Sequence, residues 1–555
     1  MGQTISVRNT VGEEETVQSA STDTVAFGRP LWFTLGLGLT LLIYLAFLGP
    51  MPLYWAHGDD CSVYLVSAQS LAKGAGYRLI NDPALPPATH YPIGYPALLA
   101  VPIGLLGITP LGVTLARILS TIAGLITLYF GYRLLRLYAT EKTAALLTLA
   151  IGLSPMLVKA SGNIMSEAVY MAFSVGAVLY GENLLRRFSA SPARGFVASL
   201  PWLVLGVFVG ASLLIRTVGV ALVLGAGLAI LLRRWWLPLL QYSVGVLLTA
   251  TPFYFWQLLQ PRDHMPSYLD QIKADSAFVT PFDQMAGTVR NFLAYAAFPA
   301  YETRTVLNLA ERFHLNWLLE GFLWGIGLLL ALLCLIGFVP LLRRGSIVGF
   351  YMVFYTTIIL LCPWDPRRYM FPLLPLLVVA LTEGGRIVLG RFTGQRWAGV
   401  VSVAVVGVVL VAQLMVDANW LRSTWKDGNY RGDVVAAQWD KTLKAYNWVR
   451  QNTPPDAQIL STVAYASYLF TERKTLSLAY EATVETLADK VPAGVPVYLF
   501  VYPRQHYLTG EELSQAYVRN YLEKYPNGLE LVYGSPSGNQ EWVQIYRLTG
   551  RGEGQ

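Results

Sequence analysis

The chain has 555 residues, of which 54% are hydrophobic and only 14% charged, too few charges to cover the surface of a water-soluble protein of this size. The formal net charge of +7 does not point to nucleic acid, because the basic residues sit as pairs at the ends of apolar runs rather than on one polar domain. Cys61, Cys334 and Cys362 are too few and too scattered for a disulfide framework or a zinc motif, although a pairing of Cys61 with Cys362 stays open.

Residues 1–30 are polar, carry Glu13-Glu14-Glu15 and lack a short apolar core with a cleavage site, so they read as a cytoplasmic tail rather than a signal peptide. Apolar runs follow near 31–49, 113–135, 143–158, 167–184, 198–215, 217–232, 237–258, 317–341, 346–362, 369–389 and 397–416. Most approach the roughly 20 residues that cross about 30 Å of hydrocarbon. The expectation is a polytopic α-helical membrane protein with about eleven transmembrane helices over 31–416. Basic clusters fall at Arg133, Arg136 and Lys142, at Arg186, Arg187 and Arg194, at Arg233 and Arg234, at Arg343 and Arg344, and at Arg386, Arg391 and Arg396. All land on one side, which the positive-inside rule makes cytoplasmic. An odd number of crossings then puts everything after residue 416 outside.

Two outer connections, 50–112 and 259–316, are far longer than a helix-to-helix link requires, and loops of that length are usually functional. In the first, Val63, Val66, Ala68 and Leu71 follow helical spacing after Asp59-Asp60 and before Gly74 and Gly76. That spacing predicts a short amphipathic helix along the membrane interface, capped by Asp and stopped by Gly. The Pro-rich apolar stretch 91–107 is expected to dip into the outer leaflet. A third outer connection, 154–167, is short but carries Lys159 and Glu167. From about 420 to 555 the long apolar runs end. A helix near 434–452, a turn at 453–455, strands near 458–461 and 495–502 and a helix near 511–524 predict a small extracytoplasmic α/β domain, with no Gly-rich phosphate loop.

Charged residues at a membrane surface or inside a span cost several kcal/mol unless they have partners, and the outer side collects them. Asp59 and Asp60 can cap a helix and be solvated there. They can also orient an acceptor hydroxyl and take its proton, or hold a divalent cation such as Mg2+ or Mn2+. Arg216, Arg367 and Arg368 can snorkel to headgroups or pair with Asp365 and Glu167, and their guanidinium forks equally suit a lipid phosphate.

Asp59-Asp60, the segment Tyr91-Pro92-Ile93-Gly94-Tyr95-Pro96, Met165-Ser166-Glu167, and Arg367-Arg368-Tyr369 followed by Pro372 and Pro375 together resemble, in order and spacing over 30–420, the GT-C superfamily of membrane glycosyltransferases. More narrowly they look like its protein mannosyltransferase, aminoarabinose transferase and Rgt-like group. The resemblance implies an enzyme of the cell (inner) membrane that takes a sugar from a polyprenyl-phosphate-linked donor on the outer face. The sugar would pass, usually with inversion, to a lipid, glycan or protein acceptor. Asp59 or Asp60 would match the family's base, its neighbour orienting the acceptor or a metal, and Arg368 and Tyr369 would match donor-phosphate ligands. Arg367, Arg216 and His90 join that phosphate group, and Glu167 and Lys159 would support the acceptor side. Where aminoarabinose transferases carry a Lys before paired prolines, this chain has His90-Tyr91-Pro92, and a neutral imidazole donates without full charge.

Two other classes share the hydropathy. A secondary transporter would show an internal repeat and polar groups at mid-membrane, neither of which the sequence offers, and a non-catalytic scaffold with an outer binding domain would leave the Asp and Arg pairs unexplained.

Overall fold

Backbone N–H and C=O groups have no water to bond in hydrocarbon, so each apolar run closes its hydrogen bonds within a helix. The computed structural model describes residues 31–48, 60–191, 195–261, 316–362, 366–392, 439–478, 483–502, 513–534 and 543–549, with short pieces within 280–289 and 406–425. Its first part consists of helices α1 (Leu31–Leu48), α2 (Asp60–Ala72), α3 (Gly94–Leu106), α4 (Pro110–Leu135), α5 (Glu141–Gly152), α6 (Pro155–Ser161), α7 (Ser166–Ala190), α8 (Phe196–Ile215), α9 (Val220–Leu231) and α10 (Trp236–Leu258). Helices α11 (Asn316–Arg343), α12 (Ile347–Leu360), α13 (Pro366–Met370) and α14 (Leu374–Phe392) follow.

Among the described residues five helical stretches are long and apolar enough to cross a membrane: α1, α4, α7, α8 and Arg368–Arg391. Two bent pairs raise the number to seven: α5 with α6, at 62°, and Leu328–Arg343 with α12, at 120°. A hydropathy window reads an apolar run as one straight helix. It does not see that Pro155 begins a new helix at α6, whereas the turn at Gly345, φ 64°, between α11 and α12 falls between the expected spans 317–341 and 346–362. The apolar segment 217–232 becomes a 3-10 turn (Thr217–Gly219) and the short α9. Of the expected segment 397–416, residues 397–405, 408 and 412 lie outside the described residues and the others are helical, while most of the loop 259–316 lies outside them.

Lipid tails are as apolar as leucine, so helices associate by close packing at small residues. Gly337 of α11 and Gly384 of α14 face each other so closely that a Cβ on either would overlap the other helix's backbone. Gly206 of α8 and Gly245 of α10 make the same kind of contact.

The first loop departs from its expected form. α2 does begin at Asp60 and is followed by Gly74 and Gly76 at positive φ, 72° and 81°. It is not an amphipathic surface helix, because Cys61 to Ala68 and Ser70 are all buried. α3 packs on one side of it and the C-terminal part of the chain covers another. The segment 91–107 does form a short apolar helix, α3, whose Val101 and Leu105 stay exposed. Cys61, Cys334 and Cys362 are all buried and none is in a disulfide, so the Cys61–Cys362 pairing is not made.

The tail folds as α15 (Trp439–Asn452), β1 (Gln458–Ser461), α16 (Ala464–Thr471), β2 (Lys474–Ser477), α17 (Val484–Ala488), β3 (Val497–Val501), α18 (Leu513–Lys524), β4 (Leu529–Tyr533) and β5 (Gln544–Leu548). The strands form one sheet in the order β2-β1-β3-β5-β4. β2, β1 and β3 are parallel, while β5 pairs antiparallel with β3 and β4. The central parallel strand β3 (Val497–Val501) is a short unbroken apolar run, as expected where helices cover both faces, whereas β1 and β2 begin and end on polar residues, Gln458 and Ser461 and Lys474 and Ser477. On one face Tyr446 of α15 stacks between Phe470 and Phe500, with ring centroids 5.1 and 4.8 Å away. On the other, Val484, Leu487, Val518 and Tyr521 close over Leu460, Leu499 and Val501.

Candidate active site

Four charged side chains from four separate helix ends meet at one place. Asp60 is the first residue of α2 and Glu167 lies in the first turn of α7, positions where a helix dipole favours a carboxylate. Arg216 follows the last residue of α8 in extended conformation, φ −145° and ψ 135°, before the 3-10 turn. Arg368 belongs to α13, the short helix that opens the last long span.

Glu167 is the hub. Its Oε1 accepts from Arg368 Nε at 2.6 Å and pairs with Arg216 Nη1 at 2.9 Å. Arg216 Nη1 also donates to Ser166 Oγ at 2.9 Å, and that hydroxyl pairs with the Tyr64 hydroxyl at 3.2 Å. The Arg216 guanidinium lies over the Tyr369 ring, 5.8 Å from its centroid. Arg368 turns its other edge to Asp60, Nη1 donating to Oδ2 at 2.8 Å, while the Tyr91 hydroxyl donates to Asp60 Oδ1 at 2.7 Å. The side chains of Glu167 and Arg216 are only 4% and 9% exposed, whereas those of Arg368 and Asp60 are 27% and 28% exposed. One ion pair is sealed and the other is open to an incoming group. Isolated buried charges would be expelled or neutralised, so two carboxylates and two guanidiniums in contact make the arrangement sustainable.

Of the residues singled out in the sequence, Asp60, Glu167, Arg216, Arg368 and Tyr369 thus come together. The link from Arg368 to Glu167 is the ion pairing that the sequence allowed as its structural explanation, and it coexists with the link to Asp60. His90 is buried and packs edge-on against Tyr91, with ring centroids 4.6 Å apart. Lys159 is half-buried in the last turn of α6. Asp59 and the side chain of Arg367 lie outside the described residues. Among the described residues no group of three or more His, Cys, Asp or Glu could hold a metal ion. Both oxygens of Asp60 are engaged by donors, one of them a guanidinium, and a neighbouring cation repels a second one. Asp60 in this arrangement therefore does not fit the Mg2+ or Mn2+ considered from the sequence.

Three contributors were not singled out as site residues. Tyr91 and Ser166 stand inside the quoted motifs, and their hydroxyls are what tie Asp60 and Arg216 in place. Arg117, a cation inside the apolar α4 about four turns before Arg133 in its last turn, is buried. It donates to Gly162 O at 2.7 Å, to Leu48 O at 3.1 Å and to Phe47 O at 2.8 Å. It thereby satisfies carbonyls at the ends of α1 and α6 that helices leave without intrahelical partners. One guanidinium fixes the exit of α1 before Asp59-Asp60 and the turn before Ser166-Glu167. A charged residue within a span is the signal that could have found it. Gly94 has an equally local reason, since a Cβ there would lie 2.6 Å from Leu214 O. The residue must be glycine for α3 to start against the end of α8, next to Arg216.

The predominantly helical fold that carries these helix-end charges is shared with solved structures of ArnT and of archaeal oligosaccharyltransferases. Among solved structures it is similar to ArnT from Cupriavidus metallidurans bound to undecaprenyl phosphate, with a TM-score of 0.57 at 12% identity over 93% of this chain and 98% of that one. It is also similar to the archaeal oligosaccharyltransferase AglB from Archaeoglobus fulgidus in complex with an inhibitory peptide and a dolichol-phosphate. There the TM-score is 0.51 at 13% identity over 95% of this chain and 75% of that one. An Archaeoglobus fulgidus oligosaccharyltransferase in complex with Zn and sulfate matches with a TM-score of 0.51 at 12% identity, over 84% and 68% of the two chains. At such identities the likeness is one of fold. No protein-family model matches the sequence, and no curated protein matches it.

Proposed function

We propose that the chain is a glycosyltransferase that moves a sugar from a polyprenyl-phosphate-linked donor to a hydroxyl of a lipid, glycan or protein acceptor at the outer face of the membrane. The observation that carries this reading is the open ion pair between Asp60 and Arg368, 2.8 Å apart. It sets a proton acceptor beside a phosphate-binding fork, on a fold shared with a protein solved with undecaprenyl phosphate.

In this mechanism the donor phosphate takes the edge of Arg368 now on Asp60, which frees the carboxylate as the lipid arrives. Arg216, Tyr369, Arg367 and His90 complete the phosphate environment. Glu167 keeps the two guanidiniums oriented, with Lys159 nearer the acceptor side. Asp60, or Asp59 beside it, accepts the proton of the acceptor hydroxyl as its oxygen attacks the anomeric carbon. The bond from that carbon to the phosphate oxygen breaks, and its electron pair leaves on the phosphate, where guanidinium groups stabilise it. Attack opposite the leaving phosphate inverts the anomeric centre. Phosphate is a good leaving group, so a general acid is not required.

The same reading places the N-terminal tail in the cytoplasm and takes the chain across the membrane eleven times. Residues 420–555 then form a periplasmic or extracellular α/β domain on the side of the site.

The experiment is sugar release from a panel of polyprenyl-phosphate sugars by the purified protein, with and without EDTA and added Mg2+ or Mn2+. Turnover by the wild type, lost in Asp60→Asn and insensitive to chelation, is the expected result. Absence of turnover on every donor in the presence of added cations would overturn the reading.

A further inference from the structure

The strand β2 lies at one end of the sheet order, so among the described residues one side of it has no strand partner. A bare edge offers unpaired N–H and C=O groups to any extended segment. Here the first loop takes that position. Thr475 N donates to Asn81 O at 2.8 Å, and Asn81 Nδ2 returns bonds to Thr475 O at 3.3 Å and Thr475 Oγ1 at 3.2 Å. Next to it Lys474 Nζ donates to Ile80 O at 2.7 Å and lies 5.9 Å from the centroid of the Tyr468 ring. Below these bonds Tyr77, Leu79, Ile80 and Ala88 of the loop share one apolar cluster with Val63 and Val66 of α2 and Tyr465 of α16.

The loop is internally cross-braced. Leu79 N donates to Pro86 O at 2.9 Å and Ala88 N to Tyr77 O at 3.0 Å, so a displacement at Asn81 carries Tyr77 with it. The Tyr77 hydroxyl donates to Tyr91 O at 3.0 Å, and burial raises its pKa, so it stays protonated and remains a donor. The Tyr91 hydroxyl in turn holds Asp60 Oδ1 at 2.7 Å. A continuous set of short contacts therefore joins the edge of the C-terminal sheet to one oxygen of the carboxylate.

We propose that the edge of the C-terminal sheet, Lys474 and Thr475, is a positioning element for Asp60, acting through Asn81, Tyr77 and Tyr91. The proposal rests on Asp60 being the carboxylate used in sugar transfer. It gives the C-terminal domain a part in the chemistry besides any contact with acceptors. Tyr91 is the last positioning residue of the set: it orients the Asp60 oxygen for the acceptor proton while Arg368 is drawn away by the phosphate.

Two readouts test it. The first needs no substrate: amide hydrogen exchange of the protein in lipid nanodiscs, followed at residues 60–64 and 76–91. Asn81→Ala with Lys474→Ala should speed exchange in both segments by about tenfold or more, an opening in which the shared braces are lost together. Unchanged exchange at 60–64 overturns the proposal, whether or not the protein proves to transfer sugar. The second is turnover on the donor that the wild type uses. The Asn81/Lys474 double variant and Tyr91→Phe should each lower kcat about tenfold with the donor KM within twofold of wild type. Combined, they should be no slower than the worse of the two, because residues in one network are not additive. Multiplied losses, or a loss in KM alone, would overturn the route through Tyr91. Tyr77→Phe keeps the ring in the cluster and removes only the bond to Tyr91 O, so it gives the same test if the double variant does not fold. A wild type that transfers no sugar sinks the proposed function and leaves the exchange result to decide the coupling.

Discussion

Helix α7 buries a carboxylate near each end, and the two are treated differently. Glu182, near its C-terminal end, accepts from Ser346 Oγ at 2.6 Å and from Val348 N at 3.2 Å, so neutral donors at the start of α12 hold it. Glu167, at the N-terminal end, accepts from Arg368 and is ion-paired with Arg216 on the same oxygen, and its Oε2 has no hydrogen-bond partner among the described residues. A carboxylate that caps a helix needs only N–H and O–H groups and closes the matter locally. A carboxylate that gathers two cations builds a charge cluster whose outer member, Arg368, still reaches a more exposed partner. Burial and residue type are therefore the same in both, and the charge of the donors separates a structural acid from one in a candidate site.

Removing each acid in turn should break the comparison most strongly. Glu167→Ala leaves Arg216 sealed without its counter-charge and should cost about 3–5 kcal/mol. Glu182→Ala strands two neutral donors and should cost about 1–3 kcal/mol. Denaturation midpoints in one detergent compare them, and equal losses would erase the distinction drawn here.

The next largest effect is on turnover. Asp60→Asn retains shape and capping ability and should slow sugar transfer by about a hundredfold or more with little change in thermal stability, whereas Glu182→Gln should leave kcat within a fewfold. A residue that only caps a helix would tolerate Asn. Arg368→Ala should weaken binding of a polyprenyl phosphate analogue about ten- to hundredfold, from the loss of a charge-assisted contact of about 1.5–3 kcal/mol. Unaltered affinity would assign Arg368 to holding Glu167 and Asp60.

The smallest measurement concerns sidedness and carries no energetic cost. A cysteine at the exposed Ala493, in a chain whose own thiols are buried, should react with an impermeant reagent from outside intact inner membranes. Labelling only after permeabilisation would reverse the topology and remove the shared outer site.

Much of this was legible in the sequence, because hydropathy and helix-end charges are local signals. The helices of 31–392 fall where apolar runs do, β1 lies where Gln458 to Ser461 suggested it, and the cluster draws on residues that stood out as charges in apolar surroundings. What stayed hidden is non-local. α2 carries polar residues that look solvent-facing, and only the cover supplied by α3 and α16 turns Ser62 and Ser67 inward. β2, β4 and β5 have no strong alternation of their own and become strands by pairing. Arg117 was readable as a cation in a span, yet its use as a shared cap for α1 and α6 depends on three carbonyls from distant turns.

The bonds between Asn81 and Thr475 join positions 394 residues apart in the chain. At a synthesis rate of about 5–20 residues per second, the later partner emerges roughly 20–80 s after the earlier one. By the contacts that brace it, the loop behind Asp60 is left for that interval with an unfilled apolar face and unpaired carbonyls. A chain cut short before residue 474 would keep its helices and lose that brace. The final geometry at Asp60 is thus an event late in biogenesis, after the last domain has folded.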